Sequence, residues 1–154
     1  MRCRARRAKR RGTLENRTEY HGKKELLLLP PQVIEVQGEK QIISPGSGFV
    51  GAYRPRDGAE LWRVQYGEGY SVVPRPVFAH GMLFVGSGFD SPVLYAIRPE
   101  GAQGDMTETR VAWTVKKVAP HTPSVLVVGD LLFFVSDAGI ASCAEAKTGE
   151  VLWS

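Results

Sequence analysis

Tryptophan closes three stretches of this chain, and in each a β-favouring run and a glycine-containing turn come before it. Ile140 to Ser154 reads IASCAEAKTGEVLWS, with a Lys147-Thr148-Gly149-Glu150 turn and Trp153 four residues past the glycine. Val50 to Trp62 reads VGAYRPRDGAELW, with Asp57-Gly58 at the turn and Trp62 again four residues past it. A looser copy, LYAIRPEGAQGDMTETRVAW, runs from Leu94 to Trp113 and is stretched by an insertion around Gly101 to Asp105. A unit used three times identifies a repeat architecture, in which a sheet too small to bury its own faces stacks on its copies.

The same grammar extends upstream of each tryptophan. Val33-Ile34-Glu35-Val36 and Gln41-Ile42-Ile43 flank a Gly38-Glu39 turn, followed by strands over Phe49 to Tyr53 and Glu60 to Val64. The second unit has Val77 to Ala79, a His80-Gly81 turn, Met82 to Val85, Val93 to Ile97, an insertion from Pro99 to Met106, and Arg110 to Val115. The third has Val125 to Val128, a Gly129-Asp130 turn, Leu131 to Val135, Ile140 to Ala144 and Val151 to Trp153. Four short strands in about 40–50 residues are the signature of a propeller blade. The expected fold is therefore all-β, a partial β-propeller of about three four-stranded antiparallel blades over residues 31–154. The apolar runs Met82 to Val85 and Leu131 to Val135 suit strands covered on both faces. The tryptophans suit plugs between adjacent sheets, each indole N–H requiring an acceptor.

Charge divides the chain. Residues 1–30 carry ten Lys/Arg against three Asp/Glu, whereas residues 31–154 carry ten against thirteen. The net charge of +4 thus belongs to a basic tail, expected to be disordered, and not to the folded part. Nucleic-acid binding by the folded domain is not expected. No run approaches the ~20 apolar residues of a transmembrane helix. The basic start is not followed by an apolar region long enough for a signal peptide, since Leu26 to Leu29 ends at Pro30-Pro31. Cys3 and Cys143 are too few and too far apart for a disulfide framework, and Cys143 reads as a small buried hydrophobe.

The turns carry a family resemblance. Ala146-Lys147-Thr148-Gly149-Glu150-Val151-Leu152-Trp153 resembles the pyrroloquinoline-quinone-type (PQQ-like) propeller repeat, a strand ending in Ala-x-Asp followed by x-x-Thr-Gly-x-x-x-Trp. Arg56 to Trp62 resembles it with Asp57 in place of the threonine, and Arg54, Arg98 and Glu145 stand where the family often has an aspartate. The resemblance implies that Trp62, Trp113 and Trp153, with Gly58 and Gly149, dock neighbouring blades. It also implies one of two functions. Non-catalytic members, such as the lipoprotein scaffold of the bacterial outer-membrane barrel assembly machinery, bind other proteins without cofactor or metal, and are periplasmic or exported. Quinoprotein dehydrogenases of the family instead hold PQQ and calcium, with an adjacent-cysteine disulfide and Glu/Asn/Asp ligands. This sequence has no adjacent cysteines and no recognisable ligand set, so the scaffold is the expectation and the dehydrogenase the alternative.

Chemistry-bearing motifs point the same way. His21, His80 and His121 have no metal-ligand spacing to one another or to cysteine. Gly86-Ser87-Gly88 opens no helix, and a Gly-x-Ser-x-Gly elbow is missing. Closed propellers have about 4–8 blades, so a three-blade arc is expected to be part of a longer propeller or to close with partner chains, and its open edges to self-associate. The loops entering each blade and those after its second strand open on one face. That places Tyr70, Arg75, Asp90, His121 and Asp137 together as a candidate interaction face. The competing expectation is turn chemistry, with Arg75 pairing Asp90 or Asp137 between blades.

Overall fold

A computed structural model describes residues 31–66, 72–88 and 91–154. The tail to residue 30, with Cys3, lies outside these residues, as do Tyr70 and Asp90. Among the described residues thirteen strands build three sheets. The first blade is β1 (Gln32–Val36), β2 (Glu39–Pro45), β3 (Phe49–Tyr53) and β4 (Glu60–Gln65). The second contributes β5 (Val77–Ala79), β6 (Met82–Gly86) and β7 (Leu94–Ile97); the two-residue β8 (Gly104–Asp105) follows, and β9 (Val111–Val115) completes the blade. The third is β10 (Leu126–Val128), β11 (Leu131–Val135), β12 (Ala141–Glu145) and β13 (Val151–Trp153). Each blade is an antiparallel meander, and the three form a partial β-propeller. Among the described residues no helix is long and apolar enough to cross a membrane.

The hairpin turns follow from the backbone they require. Gln37-Gly38 and His80-Gly81 both have positive φ at two successive residues, the pattern of the tight hairpin turn whose twist matches the flanking strands. His80 tolerates this at φ 52 because its ring gains a partner in the next blade, Nε2 lying 2.7 Å from the Gly129 carbonyl oxygen.

Two cores lie between the blades. Ile34, Val36, Ile43, Val50, Ala52, Trp62 and Val64 of the first blade pack on Leu83, Val85 and Ile97 of the second. Met82, Phe84, Leu94, Ala96 and Val115 on its opposite face pack on Leu132, Phe134, Ala144 and Ala146 of the third. The strict alternation of a strand sends successive side chains to these two cores. β6 is therefore buried at all five residues, as its apolar run implies. β11 is different: Leu132 and Phe134 are buried while Leu131, Phe133 and Val135 are not. Its expected cover on both faces is corrected to one, because the outer face of the third blade has no neighbour among the described residues.

The insertion from Pro99 to Met106, to which the sequence reading assigned no strand, crosses back to the first blade. β8 pairs with β4 in parallel, Trp62 opposite Gly104 and Arg63 opposite Asp105, making a five-stranded sheet. The Met106 N–H then donates to the Arg63 carbonyl at 2.8 Å, and the Met106 side chain is buried in the first core. Asp105 accepts from Gln65 Nε2 at 2.6 Å and from the Thr107 hydroxyl and N–H. These donors, Thr107 first, hold its carboxyl below the ordinary aspartate value.

Candidate functional site

The three tryptophans occupy equivalent places in their sheets. Trp62 faces Ala52 and then Ile43 across the strands; Trp113 faces Ala96 and Phe84; Trp153 faces Cys143 and Phe133. The small residue in the middle strand lets the indole reach over it. The rings of Trp113 and Phe84 are 5.7 Å apart, and those of Trp153 and Phe133 are 6.3 Å apart. Cys143 is buried in that intermediate place.

Their surroundings differ. Trp113 lies across the turn of the next blade: a Cβ on Gly149 would stand 2.5 Å from Trp113 Cδ2 and 2.6 Å from Cε3. The same indole donates from Nε1 to the Ala146 carbonyl at 3.2 Å. Gly149 is held at φ 76 by reciprocal turn bonds, Gly149 N–H to the Glu145 carbonyl at 2.8 Å and Glu145 N–H to the Glu150 carbonyl at 2.9 Å. The turn thus presents a bare α-carbon and a free carbonyl to the ring. Trp62 is fully buried, at 0% exposure, but differently. The insertion removes the corresponding turn from the second blade, where Arg98 N–H bonds the Arg110 carbonyl over a much longer loop. β8 instead pairs with β4 beside Trp62 in the same sheet, and the indole donates to Gln41 Oε1 at 2.9 Å. Trp153 is 51% exposed. Gly58, at φ 71, repeats the Gly149 turn with nothing within 4 Å of the position its Cβ would take.

The loop face is organised by Asp137. Its Oδ2 accepts the N–H groups of His121 at 2.8 Å and Thr122 at 3.3 Å, and its Oδ1 accepts the Thr122 hydroxyl. These bonds, the Thr122 hydroxyl first, hold the Asp137 carboxyl below the ordinary aspartate value. Arg75 donates its backbone N–H to Ser124 Oγ at 2.8 Å, and its side chain is exposed. Gly86 lets the two loops meet, since a Cβ there would lie 3.2 Å from Pro74 Cγ and 3.7 Å from the Pro120 carbonyl oxygen. The structure thus brings Arg75, His121 and Asp137 to adjoining loops of the second and third blades. The expected Arg75–Asp137 ion pair is absent among the described residues: the tie between the blades runs through the Arg75 backbone and Ser124. Gln41, Ser124 and Thr122 are the partners that sequence reasoning missed, because a lone polar residue in a strand or loop has no pattern to distinguish it.

Other polar clusters are turn chemistry. Asp130 Oδ1 pairs with Lys147 Nζ at 3.0 Å, and this pairing holds its carboxyl low. Asp57 caps its own turn by accepting the Ala59 N–H at 3.1 Å, with Arg54 beside it, and is held low for those reasons. Among the described residues no three His, Cys, Asp or Glu side chains gather as a metal site would need.

A family model described as outer membrane protein assembly factor BamB matches residues 24–154. Among solved structures, BamB from Moraxella catarrhalis superposes with a TM-score of 0.60 at 17% sequence identity, over 81% of this chain. The chain spans 37% of the length of that protein. A search of curated proteins returned no match.

Proposed function

This chain belongs to the family described as outer membrane protein assembly factor BamB, and on that premise we propose that it is a non-catalytic propeller module that binds another protein through its loop face. The observation that carries this reading is the mutual locking of the Arg75 and His121 loops. Asp137 braces one, Ser124 ties it to the other, and both pack over Gly86. A rigid scaffold presenting exposed side chains from two adjoining loops is a usual recognition surface. Arg75, His121 and Asp137 form its described part; Tyr70 and Asp90 lie outside the described residues. The partner class is a protein of outer-membrane assembly, and the place of action is the exported, envelope side of the cell. The reading requires no cofactor and assigns no catalytic residue.

Capture from envelope extracts tests it. Arg75→Ala should weaken retention of a specific envelope protein while leaving the denaturation midpoint in place. A stability loss above about 2 kcal/mol, more than a surface ion pair supplies, would make Arg75 a structural tie instead. Unchanged capture and unchanged stability would remove the face from the reading. Dye-linked alcohol oxidation on adding the quinone and calcium would contradict the non-catalytic assignment outright.

A further inference from the structure

The rim of the first blade shows what kind of segment its outermost strand accepts. β8 adds to the edge of β4 in parallel, with Asp105 opposite Arg63. The Arg63 carbonyl accepts the Met106 N–H at 2.8 Å, and the Gln65 N–H donates to Thr107 Oγ1 at 2.9 Å. Backbone groups of alternate residues in a strand point to opposite edges, so Arg63 and Gln65 face outward while Trp62 and Val64 face β3. Asp105 adds a side-chain bond, accepting from Gln65 Nε2 at 2.6 Å. Gly104, at φ 66, and Asp105 have little strand preference of their own. The edge of β4 therefore imposes the pairing.

The second blade repeats this edge without its cover. β9 is the last strand of its sheet. Trp113 lies opposite Ala96 and Thr114 opposite Tyr95, as Trp62 lies opposite Ala52 and Arg63 opposite Gly51. Thr114 thus stands in the place of Arg63, and Lys116 in that of Gln65. The backbone groups of Ala112 and Thr114 then point outward. Edge strands are usually guarded by charge, proline or a covering segment. β4 has the Glu60–Arg63 ion pair and β8. β9 reads VAWTV, with no such guard and high strand propensity. It belongs to the middle blade of the three, and its edge lies on the outer rim, which neighbouring blades do not cover.

We propose that the outer edge of β9 is a strand-addition site for an extended segment of another protein. The segment runs parallel to β9 and carries an acidic residue where β8 has Asp105. Main-chain bonds along an edge strand supply affinity, and side chains at fixed places supply selectivity. The acidic preference follows from Lys116, which is exposed and occupies the place from which Gln65 reaches Asp105. Lys117, also exposed, follows it. The site is on the rim, so it stands apart from the scaffold reading, which concerns the loop face.

A dye-labelled peptide of residues 101–109, the chain's own edge-adding segment, is the probe for the full chain. Its anisotropy should rise saturably with chain concentration. Thr114→Pro removes an outward N–H and no ladder bond, a change that edge strands tolerate, and should abolish the rise while the circular dichroism is kept. Lys116→Glu should weaken binding about fivefold or more, the upper value for one exposed ion pair. A peptide carrying Asp105→Lys should recover it. Amide exchange on the unaltered chain gives a reading that does not depend on any variant folding: the peptide should slow the Ala112 and Thr114 amides. Absence of binding overturns the proposal. So does binding kept by a folded Thr114→Pro chain, or protection of Arg63 and Gln65 instead of Ala112 and Thr114, the result of the peptide displacing β8. Equal binding by Lys116→Glu overturns the acidic partner.

Discussion

Trp62→Ala should destabilise the chain by about 3–5 kcal/mol, the usual cost of truncating a fully buried tryptophan. The indole is closed in by the first core, which Met106 of the insertion joins, so the cavity has little opportunity to collapse. Gln41 Oε1 would also lose its donor, in a side chain that is itself buried, and an orphaned buried acceptor adds to the cost. Trp153→Ala, on the open face, should cost far less. Urea titration of the two variants reads the difference, and equal losses would contradict the closed core around Trp62.

Gly149→Ala and Gly58→Ala form the second large contrast. Both glycines have positive φ, so each alanine carries about 1–2 kcal/mol of backbone strain. At Gly58 the new methyl enters open space, and strain is the whole effect. At Gly149 it meets the Trp113 ring, and overpacking adds about 1–3 kcal/mol. In dilute, monomeric samples Gly149→Ala should therefore be the more damaging, and Trp113 fluorescence should shift only in that variant. The reverse order would mean that Trp113 does not rest on the third blade.

The repeat was legible because its physics is local. Gly58 and Gly149 must turn the chain with positive φ, and four residues later the strand returns to place a tryptophan opposite a small residue, Ala52 or Cys143. Three such units were enough to place the strands and the two inter-blade cores. β8 was not legible. Gly104-Asp105 has neither apolar alternation nor β-branched residues, and its parallel pairing with Trp62 and Arg63 depends on the whole second blade being in place. That also hid the acceptor of Trp62: the sequence called for an acceptor without naming one, and where Trp113 finds the Ala146 carbonyl of the next blade, Trp62 finds Gln41 of its own. For the loops that hold Arg75, His121 and Asp137, the bonds were not legible. Asp137 braces His121 and Thr122, which an aspartate beside a turn can be expected to do, whereas the link from Arg75 runs through its backbone and could not be read from side-chain type.

Collisional quenching of single-tryptophan variants tests the docked arc most directly. With the other two tryptophans replaced by phenylalanine, each indole reports its own cover. In dilute monomer, acrylamide should quench Trp153 most, Trp113 less and Trp62 least, following exposed edge, covered turn and closed core. Equal quenching of all three, or a Trp62 as accessible as Trp153, would contradict the ordered arc of blades.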